Sequence, residues 1–221
     1  MNFLELCQKV VQECGVGGNG PPSVENQTGE YKDVVDWVIS SWREIQLAKK
    51  YWNFMQDEYA FDTVVDTADK ATTTLTVRDF KPEPIGIYLK SLGAGNNGDI
   101  PYLSYQKWKA RYGRRDMPSG RPVCWTKLPN GSMRLTPAPD DVYVVRGDGL
   151  LKVQVLAGNE DIPIMDEDYH MAIVWHVAMK WFEDQEAFDR LATVTENYEE
   201  IATSMRRDCL PDIEMGFGAL A

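Results

Sequence analysis

The chain has 221 residues, 43% of them hydrophobic, and a formal net charge of −11 at pH 7. That length and apolar content allow one large domain or two small ones, each with a core. The acidic balance argues against a surface that grips nucleic acid throughout, and no stretch reaches membrane-spanning length without charge.

The acidity is local. Residues 1–55 hold five Lys/Arg and seven Asp/Glu, residues 56–157 fourteen and twelve, and residues 158–221 four and fifteen. The cysteines Cys7, Cys14, Cys124 and Cys209 form no C-x-x-C pair and read as free thiols of a reducing cytoplasm. The opening Met1-Asn-Phe-Leu-Glu5 lacks the basic and apolar regions of a signal peptide, so a cytoplasmic origin is expected.

In chain order, Phe3, Leu4, Cys7, Val10, Val11 and Cys14 recur at helical spacing and predict a helix over 2–14. The Gly-rich run Gly15–Pro22 ends it. A second helix is expected over 30–52, capped by Thr28, with Tyr31, Val34, Val35, Val38, Trp42, Ile45 and Trp52 as one stripe. The pattern then alternates and is rich in Thr, Val and Tyr. It predicts strands near 58–65, 73–78, 85–92, 122–128, 132–137, 142–146 and 150–156. Hairpin turns are expected at Pro129-Asn-Gly131 and Arg146-Gly-Asp-Gly149. One short helix over 104–112 interrupts the strands.

Helices return after Gly158. A helix is expected over 166–182, with an acidic start and then an apolar run with almost no polar face, so it must be buried on most sides. The last helix, 186–208, sets Phe188, Leu191, Tyr198, Ile201 and Met205 opposite acids, and Pro211 stops it. The expected fold class is α+β: a four-helix bundle built from both termini, with an inserted, mostly antiparallel β domain. The expected boundaries are 1–56 for the N-terminal helices, 57–157 for the β domain with its short helix, 158–209 for the C-terminal helices, and 210–221 for an extended arm.

Chemical motifs are sparse. Gly15-Val-Gly17-Gly-Asn-Gly20 and Gly93-Ala-Gly95-Asn-Asn-Gly98 match G-x-G-x-x-G, but neither sits between a strand and a helix. Both read as loops, and no cofactor is expected. Arg146-Gly147-Asp148 reads as a turn rather than an integrin ligand. His170 and His176, six apart, cannot form the i, i+4 pair that grips zinc, so no metal is expected. His176 reads as a satisfied or interfacial histidine. Paired acids such as Asp166 and Asp168, or Glu199 and Glu200, are explained by capping and solvation. No catalytic pair can be assigned.

The segment Tyr105–Arg121 carries the best nucleic-acid candidate. Lys107, Lys109, Arg111, Arg114, Arg115 and Arg121 form a basic cluster with interleaved aromatics. Tyr105, Trp108 and Tyr112 also recur at three and four, which makes them a buried helical face with the cations on the wet side. These cations are candidates for contact with a neighbouring subunit or with DNA.

Trp37-Val-Ile-Ser-Ser-Trp-Arg-Glu-Ile-Gln46 with Tyr51-Trp-Asn-Phe-Met55 resembles the early helix of head-to-tail connector (adaptor) proteins of tailed bacteriophages. Ile162–His170, the helix through Trp181, and Arg207-Asp-Cys-Leu-Pro-Asp212 are similar to the same family. The resemblance implies a structural virion protein without catalysis. It implies a ring, usually of twelve subunits, beneath the portal protein, extending the DNA channel and offering a platform to the next tail or neck component. It also implies an arm that reaches the portal, here Leu210, Met215, Phe217 and Leu220. On that reading Glu183, Asp184, Glu186, Asp189, Glu196, Glu199 and Glu200 are candidates to line the channel, where negative charge lets genomic DNA slide. The alternative is a DNA-binding accessory protein using 105–121.

Overall fold

The computed structural model describes residues 1–211. The chain divides into two compact units, Met1–Met55 with Val153 onward, and Gln56–Lys152. The fold class is α+β, with two antiparallel sheets inserted between N-terminal and C-terminal helices that contact each other.

The helical unit opens with α1, Phe3–Cys14. A capping box starts it: Glu5 N–H donates to the Asn2 side chain at 2.9 Å, and Asn2 N–H donates to the Glu5 carboxylate at 2.9 Å. Gly15, in the left-handed region at φ 70°, ends it with its N–H on the Val11 carbonyl. The second helix, α2, spans Glu30–Ala48 and starts at Gly29 without a side-chain cap. The expected Thr28 cap is therefore not used. Glu30 and Asp33 still lie in the first turn, at the positive end of the helix dipole. The helix stops before Trp52, short of the expected end. Trp52 instead folds back, and its indole N–H donates to the Ile45 carbonyl at 2.8 Å.

The chain re-enters this unit at Val153. Helix α4 spans Met171–Asp184 and α5 spans Phe188–Cys209; the short α3, Tyr105–Tyr112, belongs to the other unit. α4 packs against α1, α2 and α5, which explains its apolar circumference. Ala172, Ile173, Val174, Val177, Ala178 and Phe182 are buried on it. α5 buries only Val194, Ala202 and Met205. Phe188, expected on its apolar face, is 65% exposed. It stands just beyond the α4–α5 turn, in the first turn of a helix that leans chiefly on α4.

The strand unit holds two antiparallel sheets. Their strands are β1 Gln56–Asp62, β2 Asp69–Lys70, β3 Val77–Phe80, β4 Ile85–Leu89, β5 Gly98–Ile100, β6 Cys124–Lys127, β7 Met133–Thr136 and β8 Tyr143–Leu151. One sheet runs β1-β8-β4-β5, with β3 also on β8; the other runs β2-β7-β6. The core gathers Tyr59, Phe61, Phe80, Ile87, Trp125 and Val145 among others. Tyr59 meets Phe80 edge-on at 5.0 Å between ring centroids.

Two expectations fail here for one reason. Residues 142–146 and 150–156 are not two strands joined at Arg146–Gly149. β8 runs unbroken from Tyr143 to Leu151, and Arg146-Gly147-Asp148 lies inside it. Inward positions alternate through Tyr143, Val145, Gly147 and Gly149. A Cβ on Gly147 would sit 2.6 Å from the Tyr59 hydroxyl, and one on Gly149 would sit 2.6 Å from Val77 Cγ1. The glycines admit side chains from neighbouring strands rather than turning the chain. The other hairpin is present. β6 and β7 pair from Cys124↔Thr136 to Lys127↔Met133, and Leu128 N–H closes on the Ser132 carbonyl at 2.8 Å. Gly131 holds φ 84° in that loop.

Candidate assembly surfaces

Helix α3 is anchored through its inner face. Trp108 is buried, and its indole N–H donates to Thr136 Oγ1 at 2.7 Å. Tyr105 stacks on Trp108 at 6.0 Å, and the Arg134 guanidinium lies 5.4 Å from the Trp108 ring while gripping Asp69 through two nitrogens at 2.5 and 2.6 Å. Tyr112 is half-buried. The outer side carries Lys107, Lys109 and Arg111. Arg114 and Arg115 follow the helix end, and Arg121 lies further along; all six are exposed. Among the described residues none of the six pairs with a carboxylate. Lys109 lies 6.0 Å from the Tyr105 ring centroid and Arg111 lies 5.3 Å from that of Tyr112. A cleft of about 520 Å³ opens beside Gln106, Lys109 and Arg114.

The helical unit presents the opposite charge. Glu183, Asp184, Glu186, Asp189, Glu196, Glu199 and Glu200 are all exposed. Of these, Glu199 has a cation, Arg206 at 3.1 Å, and among the described residues the others have none. Between α4 and α5 a cleft of about 410 Å³ is lined by Asp168, Tyr169, Trp175, Asn197, Glu200, Ile201 and Ser204. At its edge the Tyr169 hydroxyl donates to Asp208 at 2.7 Å and Arg207 donates to the same carboxylate at 2.8 Å. Those donors hold the Asp208 carboxyl down at about 2, Arg207 being the larger cause. The Asp208 contact in turn pushes the Tyr169 phenol up to about 12.

The histidines face different neighbours. His170 is buried, with Nδ1 2.8 Å from the Met1 amine and Nε2 3.2 Å from the Met165 carbonyl. His176 Nδ1 is buried and has no hydrogen-bond partner among the described residues. Its Nε2 lies 3.8 Å from Glu44, which Lys180 grips at 2.7 Å, and its ring lies 5.2 Å from Tyr198. Burial, then the nearby Lys180, push the His176 imidazole below its ordinary range, against Glu44. Among the described residues no three His, Cys, Asp or Glu side chains come together as a metal site. The run Gly15–Gly20 joins α1 toward α2, and Gly93–Gly98 passes through short turns into β5; neither leads from a strand directly into a helix.

A polar joint that the sequence pattern barely marks ties the returning chain to the helices. Gln46 is fully buried. Its amide donates to the Gln154 carbonyl at 3.0 Å and accepts from the Gln154 N–H at 2.8 Å. The Gln154 side chain accepts from the Trp42 indole at 3.1 Å and from Ile164 N–H at 3.0 Å. Asn159 accepts from Val24 N–H at 2.8 Å, while Phe3 N–H donates to the Asp161 carbonyl at 2.7 Å. The one signal for Gln46 was its place on the apolar stripe of α2, four residues after Trp42.

Helices from both ends of one chain, tied to each other through the buried Gln46 amide, with a pair of antiparallel sheets inserted between them in sequence, define an α+β protein whose distinguishing surfaces are charged faces. Portal-arm candidate Leu210 is half-buried; Met215, Phe217 and Leu220 lie outside the described residues. Residues 1–210 match the family described as SU10 adaptor protein, and the chain belongs to that family of phage adaptor proteins, which implies a structural role between head and tail. No curated protein matches the chain. Among the described residues no helix is long and apolar enough to cross a membrane.

Proposed function

We propose that this protein forms a ring of identical copies beneath the portal of a tailed phage, twelve in the usual form of such adaptors, and that it performs no catalysis. The family match over residues 1–210 carries this reading. The four terminal helices would act as one bundle and supply the ring wall, with the inserted strand unit facing outward or toward the next tail or neck component. The arm 210–221, through Leu210, Met215, Phe217 and Leu220, would meet the portal. The exposed acids Glu183, Asp184, Glu186, Asp189, Glu196, Glu199 and Glu200 would line the channel, where their charge keeps phosphates from sticking to the wall. Electron microscopy of the purified protein mixed with portal protein should show a second ring stacked on the portal. Failure of the two to associate would overturn the reading.

One observation favours a second reading, in which Lys107, Lys109, Arg111, Arg114, Arg115 and Arg121 grip DNA: these cations are exposed and have no carboxylate partner among the described residues. A gel shift at low salt, lost on Arg114→Glu with Arg115→Glu, would support it. Absence of any shift would remove it.

A further inference from the structure

We propose that the cleft between α4 and α5 receives the Arg114–Arg115 corner of a second copy of this chain, and that this contact joins neighbours in the assembly. The inference rests on the ring reading and names the contact within it, moving Glu200 from the channel wall to the seam between copies.

The cleft has the chemistry of a guanidinium seat. Trp175 and Tyr169 give it aromatic surface, and Asp168 and Glu200 contribute exposed carboxylates. An arginine entering it can lie on a ring face while its fork of N–H donors meets a carboxylate, two interactions that its planar, always-charged head makes together. Asp168 and Glu200 have no cation among the described residues. Asp208, at the edge, is already held by Tyr169 and Arg207 and does not compete.

Arg114 and Arg115 have the complementary need. They are exposed and have no carboxylate partner among the described residues. Lys109 and Arg111 rest on their own tyrosines, whereas among the described residues neither Arg114 nor Arg115 lies over a ring. The backbone on either side of Arg114 is hydrogen-bonded. Gly113 N–H closes on the Lys109 carbonyl at 3.0 Å, and Arg115 N–H closes on the Tyr112 carbonyl at 3.0 Å. Docking them therefore orders side chains only, which keeps the entropic cost low.

The charge distribution points the same way. A closed ring needs two unlike, mutually complementary faces on every copy. The chain separates its charge between strand and helix segments, with four Lys/Arg against fifteen Asp/Glu over 158–221 and fourteen against twelve over 56–157. Head-to-tail contact brings the basic corner of one copy to the acidic cleft of the next, while like faces repel and suppress closed pairs.

The test uses two full-length variants, Arg114→Glu with Arg115→Glu, and Asp168→Lys with Glu200→Lys, studied by sedimentation alone and with portal protein. Each variant alone should assemble at least about tenfold more weakly than the unaltered chain. An equal mixture should recover assembly, because each variant then offers the face the other lacks. Recovery also excludes misfolding as the cause. Unchanged assembly in both variants, or no recovery in the mixture, overturns the contact and leaves the ring standing. So does loss of DNA binding in the arginine variant with assembly unaffected. An unaltered chain that never assembles, with or without portal, ends both the ring and the contact.

Discussion

Single residues decide how the two chain ends are held together. Gln46 answers both backbone groups of Gln154, so a buried amide does the work that a strand ladder does elsewhere. Gln46→Leu fits the space but strands one N–H and one C=O, and should cost about 2–4 kcal/mol in urea unfolding. Exposed changes such as Glu196→Gln should stay within about 0.5 kcal/mol. His176 makes stability depend on pH. Its folded-state pKa lies below the ordinary 6.5, so the unfolded chain binds the proton first as pH falls. Its contribution is complete above pH 6.5 and is lost as pH drops from there toward the folded value. His176→Phe keeps the ring against Tyr198 and removes the proton. It should flatten the stability curve just below pH 6.5 by at most about 1.4 kcal/mol per pH unit, read from denaturant titrations across that range. An unchanged slope would mean that another group titrates there.

At the level of elements, α3 shows how one short helix divides between anchoring and display. Its mean character is polar, and isolated helices of this length are unstable in water. It persists because Trp108 is buried against the second sheet and bonded to Thr136. Trp108→Ala should therefore cost about 3–5 kcal/mol in the unfolding free energy of the strand unit. Lys107→Glu, on the outer side, should leave that free energy within about 0.5 kcal/mol. Equal effects would contradict the division of faces. The spacing of Tyr105, Trp108 and Tyr112 made this helix legible from sequence, as the apolar circumference of α4 did for that helix. β8 was not legible. Gly147 and Gly149 read as turn residues because local patterns carry no record of the Tyr59 and Val77 side chains that need their space.

At the scale of the whole molecule, the strand unit is one continuous piece of chain while the helical unit is two. Gln56 pairs with Leu150, so the ends of residues 56–152 lie on adjacent strands, and this unit has its own core. A fragment spanning 56–152 should unfold cooperatively by circular dichroism, as a domain with a private core does. A broad, non-cooperative melt would refute that independence. The helical unit offers no such fragment, because α1 and α2 pack on helices supplied from beyond the insertion. The charge separation between the two segments was readable directly, since acids and bases can be counted without coordinates. Which of those charges remain unpaired was not, because pairing depends on what folding brings within reach.

By itself the sequence determined the helix–strand–helix order, the burial of α4, the anchoring face of α3 and the adaptor family, because periodicity and local motifs are written in neighbouring residues. Only the tertiary structure decided that β8 is unbroken, that α2 ends under Trp52, that Gln46 and Gln154 bind the chain ends, and that an acidic aromatic cleft opens between α4 and α5. Each of those depends on residues far apart in the chain meeting in space, and no local pattern encodes which distant partner will arrive.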